Sequence, residues 1–103
     1  MRRGTTPTYV MNFSEGMGAK IDNICLTFAQ GQTKRHMYLS TGKITLTGDI
    51  AQVTLLQEET KEFNVGTIQR QVKVKLKDEY GGVVQTSDIV SEYVYGQLNE
   101  EVL

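Results

Sequence analysis

The stretch that organises the chain is Leu55–Leu76, which reads LLQEETKEFNVGTIQRQVKVKL. Its second part, Thr67–Lys77, predicts a long strand, because apolar residues alternate there with Gln and Lys. Arg70 falls on the apolar side of this alternation and breaks the pattern. Either its head group reaches solvent near the strand entrance, or it marks a bulge that changes the register.

The first part of the stretch predicts one or two helical turns near residues 57–63. Thr54-Leu55-Leu56-Gln57 matches a capping-box pattern, and the two glutamates that follow would occupy a first turn, where the helix dipole favours negative charge. Leu56 and Phe63 are seven residues apart, so we expect both on the side of the helix that caps the core. Asn64 and Gly66 would end the segment.

The rest of the chain also favours strands separated by Gly-containing turns. The predicted strands are Thr8–Phe13, Ile21–Ala29, Thr33–Leu39, Ile44–Thr47, Ala51–Leu56, Thr67–Lys77 and one within Val83–Val94. In Ile21–Ala29 both faces are unusually free of charge, with Ile24, Leu26 and Phe28 on one face, which predicts a central strand. Residues 88–98 fit either a strand or a helix. The pattern predicts a mainly β fold, a single antiparallel β-sandwich of immunoglobulin-like type with about seven strands. A small open barrel is the alternative.

Length and composition favour one domain over residues 1–103, with a flexible arm at residues 1–5 and a tail at residues 99–103. The formal net charge of -1 gives no global field towards phosphate, so nucleic acid is not expected as a partner. A single cysteine excludes an internal disulfide and fits a cytosolic origin. We expect no membrane span, because no apolar run is long enough.

Candidate chemical residues are few, and each has a simpler structural role. Cys25 lies in an apolar strand and is predicted to pack in the core, whereas the lone His36 has no carboxylate beside it in sequence. Lys73, Lys75 and Lys77 would lie on the solvent side of one strand. We therefore expect no catalytic, metal-binding or cofactor-binding residues, no cofactor and no small-molecule substrate, so the protein is not expected to be an enzyme.

Two segments are predicted to contact protein partners. The tyrosine-rich end could be an interaction surface or the last core strand, since exposed tyrosine supplies contact area at low entropic cost. The N-terminal arm could add to the sheet edge of a neighbouring subunit. The predicted contact residues are Arg2, Arg3, Thr5, Thr6, Pro7, Tyr93, Tyr95 and Leu98.

A family resemblance rests on the start Arg2-Arg3-Gly4-Thr5-Thr6-Pro7-Thr8, on Leu26–Gln30, and on Val53–Thr60 continuing through Phe63, Gly66 and Gln71-Val72. In these segments the chain resembles small structural or hypothetical proteins of tailed phages and prophages of Gram-positive bacteria. Its second half is also similar to the immunoglobulin-like N-terminal domain of receptor-binding baseplate proteins of lactococcal-type phages.

The resemblance implies a non-catalytic accessory or adaptor protein of the virion, in the tail or baseplate. Its partners would be other phage structural proteins, with a homo-oligomer left open, and it would lie in the host cytoplasm during assembly and then in the virion. The alternative function is a small intracellular regulator or inhibitor that binds a host or phage protein through residues 93–98.

Overall fold

The computed structural model describes residues 1–99 and 101–102. Among these residues, the fold is mainly β, with eight strands in two antiparallel sheets and one short helix. The strands are β1 (Thr8–Asn12), β2 (Ile21–Gln30), β3 (Thr33–Tyr38), β4 (Thr45–Thr47), β5 (Ile50–Thr54), β6 (Gly66–Leu76), β7 (Val84–Thr86) and β8 (Val90–Val94). The helix, α1, spans Gln57–Lys61. The predicted mainly β, sandwich-like fold is confirmed.

The two sheets differ in size. The smaller has the strand order β1-β5-β4, and the larger has the order β3-β2-β6-β7, with β8 also paired to β6. Lys73, Val74 and Lys75 pair with both β2 and β7, and Gln69 and Arg70 pair with both β2 and β8. The strands β7 and β8 therefore follow one another along the edge of β6 opposite β2. Between them, Ser87 exchanges hydrogen bonds with the backbone of Val72, its N–H donating over 2.8 Å and its hydroxyl accepting over 2.9 Å. Residues 88–98 fitted either a strand or a helix, and within them residues 90–94 form a strand.

The core lies between the sheets and follows the predicted alternation. On β2, Ile24, Leu26 and Phe28 are buried, and β2 is the central strand that its uncharged faces predicted. Cys25 is not in the core, contrary to the prediction. Successive side chains of a strand point to opposite faces, so Cys25 lies half-buried on the outer face.

Phe63 is buried at the end of the core, as predicted, but Leu56 is 54% exposed, so that part of the prediction is wrong. The physical reason is that the alternation of β5 continues one residue beyond the strand, which turns Ala51, Val53 and Leu55 inward. Leu56 therefore points outward, with an extended backbone, immediately before α1.

The predicted capping box at Thr54 is also wrong, because α1 begins at Gln57. Its first turn is instead held by Glu59, whose carboxylate accepts a 2.7 Å hydrogen bond from the Leu56 N–H. Glu59 also forms a 2.6 Å ion pair with Lys43. Burial raises the pKa of Glu59, but these hydrogen bonds and the lysine charge outweigh it and leave the pKa below its ordinary value.

The predicted tail, residues 99–103, is only partly described. Asn99, Glu101 and Val102 are exposed, whereas residues 100 and 103 lie outside the described part of the chain. No helix among the described residues is long and apolar enough to cross a membrane.

Candidate functional site

The predicted arm and the tyrosine-rich end lie next to each other. Arg2 forms an isolated parallel bridge with Tyr95. The Tyr95 N–H donates to the Met1 carbonyl over 2.8 Å, and the Arg3 N–H donates to the Tyr95 carbonyl over 2.9 Å. The first three residues are therefore joined to the larger sheet by a single bridge just beyond the end of β8.

The side chains of the two arm arginines point to different parts of the molecule. Arg2 donates to the Gly96 carbonyl, and its guanidinium lies 5.5 Å from the centroid of the Tyr95 ring. Arg3 donates from Nε to the Phe63 carbonyl over 2.7 Å and from Nη2 to the Lys61 carbonyl over 3.1 Å. A cation at the last carbonyls of a helix complements their partial negative charge, so Arg3 fastens the arm to α1.

The remaining arm residues also have contacts within the chain. The Thr5 hydroxyl donates to the Arg2 carbonyl over 2.6 Å, and the Thr5 carbonyl accepts from the buried hydroxyl of Thr60 over 2.9 Å. The Pro7 carbonyl accepts from the Leu55 N–H over 3.0 Å, while Thr6 is exposed. Residues 1–5 thus have defined positions against β8 and α1, and Arg2 and Thr6 are the exposed residues within residues 1–7.

Three of the predicted contact residues near the end of the chain are exposed. Tyr93 and Tyr95 are half-exposed, with 4.8 Å between their ring centroids, and Leu98 is fully exposed. With Arg2 stacked on Tyr95, these side chains form what we call the terminal patch: Arg2, Tyr93, Tyr95 and Leu98. The sequence pointed to both halves of this patch but not to their contact.

An exposed apolar edge continues from the terminal patch along β7 and β8. In the described part of the chain, β7 pairs with β6 alone, so the backbone groups on its other side face solvent. Val83, Val84, Ile89 and Val90 are all exposed along this line. We call this side of β7 and β8 the outer edge. An open edge with apolar side chains is a surface on which another chain can add a strand.

Beneath the outer edge, Glu92 holds β8 to its neighbours through polar contacts on the inner face. Glu92 is opposite the buried Ile68 in the ladder, so it faces the inside of the sandwich. Its carboxylate accepts from the Tyr9 hydroxyl over 2.8 Å and pairs with the Arg70 guanidinium over 2.9 Å. The amino group of Met1 lies 3.2 Å from the other carboxylate oxygen. We call these four groups the Glu92 network.

The network accounts for the position of Arg70. Its partner on β2 is Phe28 in an uninterrupted stretch of the ladder, so no bulge in β6 places it on the apolar face. The Arg70 guanidinium also lies 5.3 Å from the centroid of the Tyr9 ring. Arg70 is therefore a partly buried partner of Glu92. Sequence reasoning missed Glu92, although it too is a charged residue on the inward side of its strand.

The charges of the network shift the ionisation of its members. Burial raises the pKa of Glu92, but hydrogen bonds from Tyr9 and the Met1 amino group, with the positive charges of that amino group and Arg70, lower it below its ordinary value. Burial and the neighbouring Glu92 carboxylate hold the pKa of Tyr9 well above its usual value. At neutral pH the Glu92 carboxylate is therefore charged and the Tyr9 phenol is neutral.

Cys25 and His36 lie on the outer face of the larger sheet and approach each other there. The Cys25 Sγ and His36 Nδ1 atoms are 4.0 Å apart, and the Thr27 hydroxyl lies 2.8 Å from the same imidazole nitrogen. The Nδ1 atom of His36 is therefore within hydrogen-bond distance of the Thr27 hydroxyl, which lies closer to it than the Cys25 thiol does. Among the described residues, no group of three or more His, Cys, Asp or Glu side chains could hold a metal ion.

Comparisons with known proteins add no identification: no protein-family model, no curated protein and no solved structure matches the chain. The phage and immunoglobulin-like resemblances therefore stay predictions.

Proposed function

We propose that the protein is a non-catalytic accessory or adaptor protein of a phage virion, in the tail or baseplate, that binds neighbouring phage structural proteins. It would lie in the host cytoplasm during assembly and then in the virion. The phage context is supported by the sequence resemblance alone. The contact function is supported by the outer edge and the terminal patch.

The observation that carries the proposal is the position of the exposed apolar side chains. Among the described residues, eight of the fourteen exposed large hydrophobic side chains lie after residue 82, and six of those eight are on or next to β7 and β8. All three residues of β7 are exposed, and a single neighbouring strand supports it. Natural sheet edges are commonly protected by charge, so an apolar, unpaired edge is best explained by a partner that covers it.

The first test is mass spectrometry of purified virions of a phage that encodes the chain. We expect the protein in intact particles at a constant ratio to a tail or baseplate component. Reproducible absence from virions would contradict the virion assignment. Its recovery from infected cells bound to a soluble host or phage enzyme would favour the alternative, an intracellular regulator.

The second test asks whether the outer edge makes the contact. Val83→Lys combined with Val84→Lys places two charges there, and we expect the protein to fold but to be lost from assembled particles. Ile50→Lys is the matched control, because Ile50 is similarly exposed but lies on the central strand of the smaller sheet. Equal incorporation of both variants would contradict the role of the outer edge.

A further inference from the structure

The outer face of the larger sheet contains an open trough of about 620 Å³ that runs along β2. Its floor is made by the small side chains of Cys25, Thr27 and Ala29. Longer side chains rise on both sides because β3 and β6 flank β2 in the sheet. The walls comprise Lys34, His36 and Tyr38 on β3, and Gln69, Gln71 and Lys73 on β6.

The charge of this trough is of one sign. Lys34 is opposite Ala29 on one wall and Lys73 is opposite Cys25 on the other, so the two positive charges lie at the two ends of the floor. No described residue that lines the trough carries a carboxylate. Arg70 is among the residues that border the trough, but its side chain lies on the inner face, where its charge is paired with Glu92. Asp88 precedes the lining residue Ile89 in sequence and is not itself part of the lining. The whole chain has a formal charge of -1, so this positive surface is local.

We propose that this trough binds an extended acidic segment of a protein partner. The floor from Cys25 to Ala29 covers five residues of β2, which is about 13 Å at the rise of a strand and suits a short extended peptide. Carboxylates of the segment would lie near Lys34 and Lys73. The amides of Gln69 and Gln71 can both donate and accept hydrogen bonds, as a peptide backbone requires.

A single-stranded nucleic acid fits the trough less well than a peptide. Sequence-tolerant binding of nucleic acid combines a positive groove with aromatic rings on which successive bases stack. Here the aromatic side chains His36 and Tyr38 stand on one wall, and the floor offers a thiol, a hydroxyl and a methyl group instead. Of the residues on the outer edge, Ile89 also lines the trough, whereas Val83, Val84 and Val90 do not, so the two surfaces can be tested separately. The proposal does not depend on the phage function.

The single cysteine on the floor provides a direct reporter of occupancy. The experiment measures the rate of Cys25 alkylation by N-ethylmaleimide in the full chain, by intact-mass spectrometry. The probes are a capped peptide of alternating Glu and Val, the same peptide with Gln for Glu, and an oligothymidylate of equal net charge. We expect the acidic peptide alone to slow the alkylation.

The double variant Lys34→Gln/Lys73→Gln tests whether the walls cause the protection. We expect the half-protecting concentration of the acidic peptide to rise about tenfold, because two exposed charge pairs are lost. Lys20→Gln/Lys77→Gln is the matched control, which removes the same charge from residues that do not line the trough. The control should change the half-protecting concentration less than about twofold, since exposed charges farther apart than a Debye length are screened.

Several outcomes would overturn the proposal. The trough is not a peptide site if Cys25 does not react in the folded protein, if the acidic peptide gives no protection, or if both double variants weaken protection equally. Protection by the oligothymidylate without protection by the peptide would replace the proposed partner with a nucleic acid. Loss of virion incorporation in the Val83/Val84 variant, with peptide protection unchanged, would show that the two surfaces act separately.

Discussion

Two arginine–glutamate pairs flank Phe28, and they differ in how far they are withdrawn from water. In the larger sheet, Phe28 is opposite Arg35 on β3 and opposite Arg70 on β6. Arg35 pairs with Glu62, and their side chains are 37% and 40% exposed. Arg70 pairs with Glu92, and the side chains of this pair are 30% and 18% exposed. Each of the two strands beside Phe28 thus carries an arginine that is paired with a glutamate, and the two pairs differ in their exposure to solvent.

The number of partners separates the two pairs more than exposure does. The Glu92 carboxylate is held by a phenol, a guanidinium and an amino group, which join β1, β6, β8 and the first residue of the chain. Arg35 has its Nε buried without a partner among the described residues. Removing a partly buried charge that has several partners lowers stability strongly, because the partners are left uncompensated. An exposed ion pair contributes little to stability. The comparison indicates that the Glu92 network stabilises the fold and the Arg35 pair does not.

The largest expected effect is that of Glu92→Ala. The substitution leaves the Arg70 charge and the Tyr9 hydroxyl without their acceptor in a partly buried site. We expect the free energy of unfolding to fall by about 2–4 kcal/mol, measured by urea denaturation. Glu92→Gln is the control, since it keeps an acceptor of nearly the same shape and should cost less. A loss below about 0.5 kcal/mol for Glu92→Ala would place this pair with ordinary surface pairs.

The pH dependence of stability provides the next test of the comparison. Because the pKa of Glu92 is lowered in the folded protein, its contribution to stability is present above its ordinary pKa, roughly 4.3, and is lost as the pH falls through the folded value. We expect the difference in urea midpoint between the wild type and Glu92→Gln to stay constant from neutral pH down to the ordinary pKa of Glu92, and to narrow as the pH is lowered further, through the folded value. A difference that stays constant with pH would contradict the assignment of the network charge to Glu92.

The sequence predicted much of the fold because alternation decides which face of a strand is buried. It placed Ile24, Leu26 and Phe28 inward on a central strand, and it identified Phe63 as the residue that closes the core. It was wrong for Leu56 because two patterns overlap there. The alternation of β5 turns Leu55 inward and Leu56 outward, whereas the helical spacing predicted Leu56 on the same side as Phe63. Local pattern does not show which of them prevails.

The candidate site was less predictable because it depends on contacts between distant residues. The amino group of Met1 and Glu92 are 91 positions apart in sequence, and Arg70 meets Glu92 only in the register of β6 against β8. The arm and the tyrosine-rich end were each predicted to contact partners, but their parallel pairing required the folded sheet. The one signal of this site in the sequence was a charged residue on the apolar side of each of two strands, Arg70 on β6 and Glu92 on β8.

Glu59 separates the effect of shielding from that of partner number. Its side chain is 16% exposed, close to Glu92, but among the described residues its hydrogen-bond and ion-pair partners are Lys43 and the Leu56 N–H. We expect Glu59→Ala to lower the free energy of unfolding by about 1 kcal/mol, through loss of the first-turn contact and the ion pair. Glu58→Ala, at the exposed neighbouring position, is the matched control and should change stability by less than about 0.5 kcal/mol. A cost for Glu59→Ala equal to that for Glu92→Ala would make shielding, and not partner number, the cause.

The smallest effect is expected at the exposed pair, and a double-mutant cycle measures it directly. For Arg35→Met and Glu62→Ala, we expect a coupling energy of at most about 0.5 kcal/mol, because both side chains are more than one-third exposed. Arg35→Met alone should be close to neutral, since it also removes the buried Nε that has no partner among the described residues. The cycle for Arg70→Met and Glu92→Ala serves as the reference and should give a clearly larger coupling. Equal couplings in the two cycles would show that the two sides of Phe28 are energetically alike, and that the contacts with Tyr9 and the Met1 amino group add nothing to the arginine pair.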